Sequence, residues 1–187
     1  ILWLCGTTGV GKSTVGWKIF QEVQRAGIRA AFVDLEQIGF CRPIPDDDPG
    51  NHRIKSDNLA GLWKTFHASG ARCLIVVGPV NHSEAVQIYR DKLPEATLTL
   101  CRLHAGAEQL GHRIMLRGQG HGPGIAGDCL KGKTAEDLEQ ISEKASETAE
   151  VLQHAAIGDL CIDTDDLTIE DVARMVLDQA NGWPGSV

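Results

Sequence analysis

The chain has 187 residues, a formal charge of −7 and a pI near 5.4, long enough for one domain with a buried core. Its acidic balance argues against a nucleic-acid or anionic-membrane partner, since both select basic surfaces. No apolar run reaches the roughly 20 residues of a membrane span, and the first residues lack the charged region, apolar stretch and cleavage site of a secretory leader.

The predicted elements alternate along the chain. "ILWLC" (1–5) reads as a strand and 13–26 as a helix. "AAFVDLE" (30–36) is a strand whose apolar run ends at a carboxylate, followed by a Pro- and Asp-rich loop at 41–50. Leu59, Leu62, Trp63 and Phe66 fall at helical spacing within 51–69, and Gly70 ends that helix. "RCLIVVG" is the third strand, 83–93 a short helix stopped by Pro94, and "ATLTLCRLH" the fourth strand. A helix over 107–117 runs into the glycine-rich "GQGHGPGIAGDCLKGK". A long helix follows with Leu138, Ile141, Ala145 and Leu152 on one face, then "DLCIDT" as the fifth strand. In the last helix, 168–177, Thr168 and Asp171 stand as N-cap and N3 acid. The final 181–187 read as a loose tail.

This alternation predicts an α/β fold, a five-stranded parallel sheet with helices on both faces, in a single domain over 1–180. Cys5, Cys41, Cys73, Cys101, Cys129 and Cys161 show no C-x-x-C spacing. They read as buried small thiols, in the reducing setting of the cytoplasm. Trp3, Trp17 and Trp63 read as core residues.

Gly6-Thr7-Thr8-Gly9-Val10-Gly11-Lys12-Ser13 fits G-x-x-x-x-G-K-[ST], with Thr14 next, and lies between a predicted strand and a predicted helix. The glycines let successive N–H groups point at one anion, and the helix start adds its partial positive charge. Lys12 supplies a mobile charge for the terminal phosphates, and the Ser13 hydroxyl suits Mg²⁺. The segment predicts a three-layer P-loop fold that binds a nucleoside triphosphate, ATP with Mg²⁺.

A GTPase switch would carry Asp-x-x-Gly and Asn/Thr-Lys-x-Asp, and neither occurs. The third strand ends "VVGPVNH", without the acid of a motor ATPase. The acid sits instead at the end of the second strand, where small-molecule kinases carry it. Over 1–177 the chain resembles the P-loop kinases of small metabolites: adenylylsulfate, shikimate and gluconate kinases and chloramphenicol phosphotransferase. Asp34-Leu35-Glu36 and Asn51-His52-Arg53 are similar to the acid-bearing strand and the Asn-x-Arg helix start of adenylylsulfate kinase. Asp34-Leu35-Glu36-Gln37 replaces that family's Asp-Gly-Asp-Asn, and "GPVNHSEAV" has no counterpart in its substrate segment. Fold and reaction type carry over; the substrate does not.

The resemblance implies an enzyme that passes the γ-phosphoryl group of ATP to a hydroxyl of a small molecule. Asp34 either accepts the hydroxyl proton or helps hold Mg²⁺. Glu36 and Arg53 are candidate substrate contacts, Arg53 alternatively pairing with Asp57. Asp46-Asp47-Asp48 is a solvated charge run or an anion-repelling gate. Arg113 and Arg117 share a helix face and resemble lid arginines that neutralise phosphate charge, in a lid over 113–134 made flexible by Gly118, Gly120, Gly122, Gly124 and Gly127. The bland alternative is an exposed basic stripe. Lys131 and Lys133 are further candidates, His121 a lid contact, His104 and His112 surface residues. Asp163 and Thr164 are implied adenine-edge contacts. Two other readings stay open, an antibiotic-inactivating phosphotransferase and a regulatory nucleotide-binding module.

Overall fold

The computed structural model describes residues 1–80, 82–121, 128–180 and 182–184. Five strands, β1 (Leu2–Cys5), β2 (Ala30–Asp34), β3 (Cys73–Val77), β4 (Thr99–His104) and β5 (Leu160–Asp163), form one sheet ordered β2-β3-β1-β4-β5. Every pairing is parallel. The helices are α1 (Lys12–Arg25), α2 (His52–Ala68), α3 (Ser83–Lys92), α4 (Ala107–Gly118), α5 (Ala135–His154) and α6 (Ile169–Gln179). This is the three-layer α/β fold that the alternation predicts. Among the described residues no helix is long and apolar enough to cross a membrane.

Side chains alternate across a strand, and β1 feeds both cores. Leu2 and Leu4 join Ile19, Ile75, Leu103 and Val176 beneath α1 and α6. Trp3 and Cys5 join Leu59, Val76 and Tyr89 beneath α2 and α3. Trp3 meets the Tyr89 ring edge-on at 4.7 Å and donates through Nε1 to the Gly78 carbonyl at 3.1 Å. A third cluster, Ile114, Leu130, Leu138 and Ala145, joins α4 to α5. The Thr168 side chain caps α6 by accepting from Asp171 N–H at 3.1 Å, as its sequence signature implies.

Three expectations change. Cys41, Cys129 and Cys161 are exposed; Cys161 lies on β5, an edge strand covered less completely than the sheet centre. Cys5 and Cys101 are buried, and loss of water pushes both thiols up to about 12, which keeps them neutral. Trp17 is 50% exposed because it rides the outer flank of α1, against Phe20 and Phe32. In the segment read as a tail, Trp183 packs against the α1–α6 core.

Gly16, in the middle of α1, explains how closely that helix lies on the sheet. A Cβ there would stand 2.5 Å from a Val77 methyl and 3.3 Å from the Phe32 ring. Alanine favours helix over glycine by about 1 kcal/mol, but overpacking costs about 1–3 kcal/mol. Gly16→Ala is expected to lower the urea midpoint at unchanged m-value, against the propensity trend.

Candidate functional site

β1 is the strand at which the sheet order reverses, with β3 on one side and β4 on the other. In open α/β sheets ligands bind at the carboxyl ends beside such a point. The chain leaves β1 into Gly6–Gly11 and enters α1 at Lys12. Gly6, Gly9 and Gly11 have φ of 133°, 84° and 100°, where a side chain is disfavoured. Space is closed as well: a Cβ on Gly6 would stand 2.5 Å from the Leu103 carbonyl oxygen, and one on Gly9 2.9 Å from the Ile114 side chain. Thr7 and Val10 are buried and anchor the loop. No side chain caps α1, so its first-turn N–H groups stay available to an anion.

Lys12 folds over this loop, its Nζ donating to the carbonyls of Gly6 at 3.0 Å and Thr7 at 2.8 Å. Burial pulls its ammonium below the usual value, opposed by the charges of Glu36 and Asp34. Asp34 ends β2 and lines the same cleft, of about 830 Å³, as Gly9–Thr14. Its carboxylate accepts from Glu36 N–H at 2.9 Å and interacts with the Ser13 hydroxyl. Burial raises the Asp34 pKa, and the neighbouring Glu36 charge adds to the rise; the Glu36 amide, Lys12 and Ser13 resist it. Among the described residues no group of three or more His, Cys, Asp or Glu gathers as a metal centre. A hydroxyl and a carboxylate beside a phosphate loop nonetheless fit Mg²⁺, which is held by one or two carboxylates together with phosphate oxygens.

Arg113 and Arg117 both line the cleft from α4, and neither is an idle surface cation. Arg113 donates to Thr164 Oγ1 at 2.9 Å and to the Thr164 carbonyl at 2.8 Å. Thr164 is itself buried and donates to the His104 carbonyl at 2.9 Å. Arg117 pairs with Asp128 at 2.7 Å. Burial pushes that carboxyl up, but Arg117 and the Leu130 amide outweigh it and hold it below the usual value. Gly118 closes against Leu138 and is a packing residue of α4. Gly122, Gly124 and Gly127 lie outside the described residues. His121 lines the cleft, whereas Lys131 and Lys133 are exposed and do not. His112 is exposed, and half-buried His104 stands 3.6 Å from Asp163.

The wall of the cleft formed by residues 35–55 departs most from the sequence reading. Glu36 lines the cleft, but Arg53 does not. Arg53 grips Asp47 through both terminal nitrogens, at 3.0 and 2.7 Å, and approaches Asp48 at 3.6 Å. Asp57, the partner expected for it, pairs with Lys92. Asp48 is buried, not solvated, and it caps α2 by accepting from His52 N–H at 2.8 Å and Arg53 N–H at 3.0 Å. Asn51, at φ 55°, clasps the preceding loop, its Nδ2 donating to Gly39 O at 2.9 Å and Cys41 O at 3.1 Å. Asp128 drew no notice in the sequence; Asn51 was singled out only as part of an Asn-x-Arg helix start and Asp48 only within an acidic run, so their bracing contacts were not foreseen. Asp and Asn just before a helix are both cap-forming residues, a cue to that bracing role.

Solved structures share this fold at low identity. A gluconokinase from Sinorhizobium meliloti 1021 is 18% identical with a TM-score of 0.61, covering 95% of this chain and 89% of its own. The Mycobacterium tuberculosis APS kinase in complex with AMPPNP and APS is 18% identical with a TM-score of 0.58, covering 96% of each chain. A Deinococcus radiodurans tunicamycin resistance protein is 16% identical with a TM-score of 0.60, covering 96% and 94%. No family model and no curated protein matches the chain. The fold is that of the P-loop kinases of small molecules.

Asp48→Ala removes two amide acceptors from the start of α2 and is expected to cost about 1–2 kcal/mol at neutral pH. Burial raises the Asp48 carboxyl, but the Arg53 and His52 amides outweigh it, so the folded pKa lies below the ordinary 3.8. The stabilisation is therefore present above that ordinary value and lost as pH falls through the folded one. Urea titrations of both proteins should show a constant difference from neutral pH to about pH 5 that closes in stronger acid.

Proposed function

We propose that this chain is an ATP- and Mg²⁺-dependent kinase that transfers the γ-phosphoryl group to a hydroxyl of a small molecule. One observation carries the reading: Asp34 lies in one cleft with the phosphate loop and in contact with Ser13. The shared fold supports it, as does the APS kinase structure, which is a complex with AMPPNP and APS.

In this reading Gly6–Thr14 cradle the triphosphate. Lys12 exchanges its two carbonyl partners for phosphate oxygens, a move its single-bonded stem permits. Ser13 and Asp34 are the side chains that would hold Mg²⁺, which would neutralise charge on the phosphates. The acceptor hydroxyl forms a new O–P bond as the bond from the γ-phosphorus to the bridging oxygen breaks. ADP leaves with that electron pair, and the hydroxyl proton passes to the Asp34 carboxylate. A raised pKa brings the carboxylate nearer the basicity a proton acceptor needs. Arg113 and Arg117 balance charge on the transferring group. Glu36, beyond Asp34, borders the acceptor space.

The test begins with calorimetry of AMPPNP and Mg²⁺, followed by mass spectrometry of gluconate, APS and tunicamycin incubated with ATP. The expected product gains one phosphoryl group. Lys12→Ala should lower turnover by about 10²–10³-fold, and Asp34→Asn by about 10²–10⁴-fold. Wild-type turnover should fall as pH drops through the Asp34 pKa, which lies above the ordinary carboxylate value, and Asp34→Asn should lose that limb. Tight AMPPNP binding with no turnover on any acceptor, and no effect of Asp34→Asn on ATP consumption, would leave a nucleotide-binding regulator instead.

A further inference from the structure

Arg113 and Arg117 share a face of α4, but their bonds divide them. Arg113 has both terminal nitrogens engaged with Thr164. Arg117 is engaged at the other end of its guanidinium. Among the described residues its side chain makes one hydrogen bond, from Nε to Asp128 Oδ2 at 2.7 Å. Its two terminal nitrogens, the fork that matches phosphate oxygens, are left to the cleft that Arg117 lines. The Lys12 pKa, lowered first by burial, is lowered further by the Arg117 charge. The Arg117 guanidinium therefore acts on the phosphate loop and not on the surface alone.

The pair is built into the joint between α4 and α5. Arg117 stands in the last turn of α4, one residue ahead of Gly118, which packs against Leu138. The chain that carries Asp128 is tied to that turn by Gly132 N–H, which donates to the Gly118 carbonyl at 3.1 Å. Asp128 Oδ1 accepts from Leu130 N–H at 3.0 Å, and the Leu130 side chain is buried with Ile114 and Leu138. One apolar cluster thus fixes both halves of the pair. The Asp128 side chain is only 12% exposed, so its charge is taken out of water to meet Arg117. An arginine held in this way has given up its rotamer freedom before a ligand arrives. The carboxylate also lets a second cation stand near Lys12 at reduced repulsion.

We propose that Asp128 is a positioning residue, holding the Arg117 guanidinium by Nε so that both terminal nitrogens meet the γ-phosphoryl group of the bound nucleotide. This assignment rests on the kinase reading above and separates Arg117 from Arg113, whose fork is engaged with Thr164.

The test is calorimetry of the full chain with AMPPNP and with ADP, each with Mg²⁺, since only AMPPNP carries a γ-phosphoryl group. Asp128→Asn keeps an oxygen for the Leu130 amide but loses the charge. It should weaken AMPPNP binding by about tenfold or more and ADP binding by much less. Arg117→Gln should show the same selective loss. Adding Asp128→Asn to it should cost nothing further, because both changes remove one interaction. Asp128→Glu, with its longer arm, should shift the fork and give a smaller loss of the same selectivity. That variant decides the matter if circular dichroism shows Asp128→Asn unfolded. Equal weakening of AMPPNP and ADP would mean that Asp128 only supports the fold. Additive losses in the double variant would mean that it acts apart from Arg117, and a gain in AMPPNP affinity that it competes for Arg117. Each of these three results overturns the assignment and leaves the kinase reading standing. If AMPPNP with Mg²⁺ does not bind the wild type, the kinase reading falls and takes the assignment with it.

Discussion

The nearness of the loop after β1 to its neighbours is the constraint from which the rest follows. Gly6 approaches the Leu103 carbonyl and Gly9 approaches Ile114 so closely that a methyl group would not fit at either place. Those contacts come from β4 and α4, which lie on one side of β1. The curled backbone is therefore held by the body of the protein and not by its own preference. A rigid ring of amides costs little to reorganise when an anion enters, and that is how preorganised dipoles gain their strength. α4 contributes twice, through Ile114 beneath the loop and through Arg113 and Arg117 above the cleft.

The opposite wall is assembled by different means. Residues 35–50 are organised largely by side chains of α2's first turn and the residues before it, with Gly39 close against the Lys55 stem and Gly50 close against the His52 ring. Asp48 secures the helix start, and Asn51 ties the loop back to it. Behind them the His52 ring nitrogen meets the Tyr89 hydroxyl at 3.1 Å, and Tyr89 packs on Trp3 of β1. A continuous path of packed rings thus links this wall of the cleft to the strand that carries the glycine-rich loop. Burial, helped by the Lys55 charge, keeps the His52 pKa low, so this support stays neutral near neutral pH.

The phosphate loop was legible because its chemistry is local: a short apolar strand, glycines at fixed offsets, and Lys12-Ser13 opening a helix. The placement of Asp34 was legible for a similar reason, since a strand's carboxyl end is where ligands gather. The partners of Arg53 were not, because Asp47 is farther from it in sequence than Asp57, which stands one helical turn on, and reaches Arg53 only through the shape of the 41–50 turn. The exposure of Cys161 depends on β5 being a sheet edge, which is a property of strand order and not of "DLCIDT". Trp17 misled for its size: large apolar side chains favour interiors, but one helix flank always faces out.

β2 is the outermost strand on its side of the sheet. Everything it delivers to the cleft beyond Asp34 hangs from the rim, outside the hydrogen-bonded centre that supports the nucleotide loop. Insertions or exchanges within residues 35–50 can therefore accumulate without disturbing the glycine-lined loop after β1. One wall of the cleft is thus built into the sheet and the other is carried on a single outlying loop, so the shape of the cleft can be altered from one side alone.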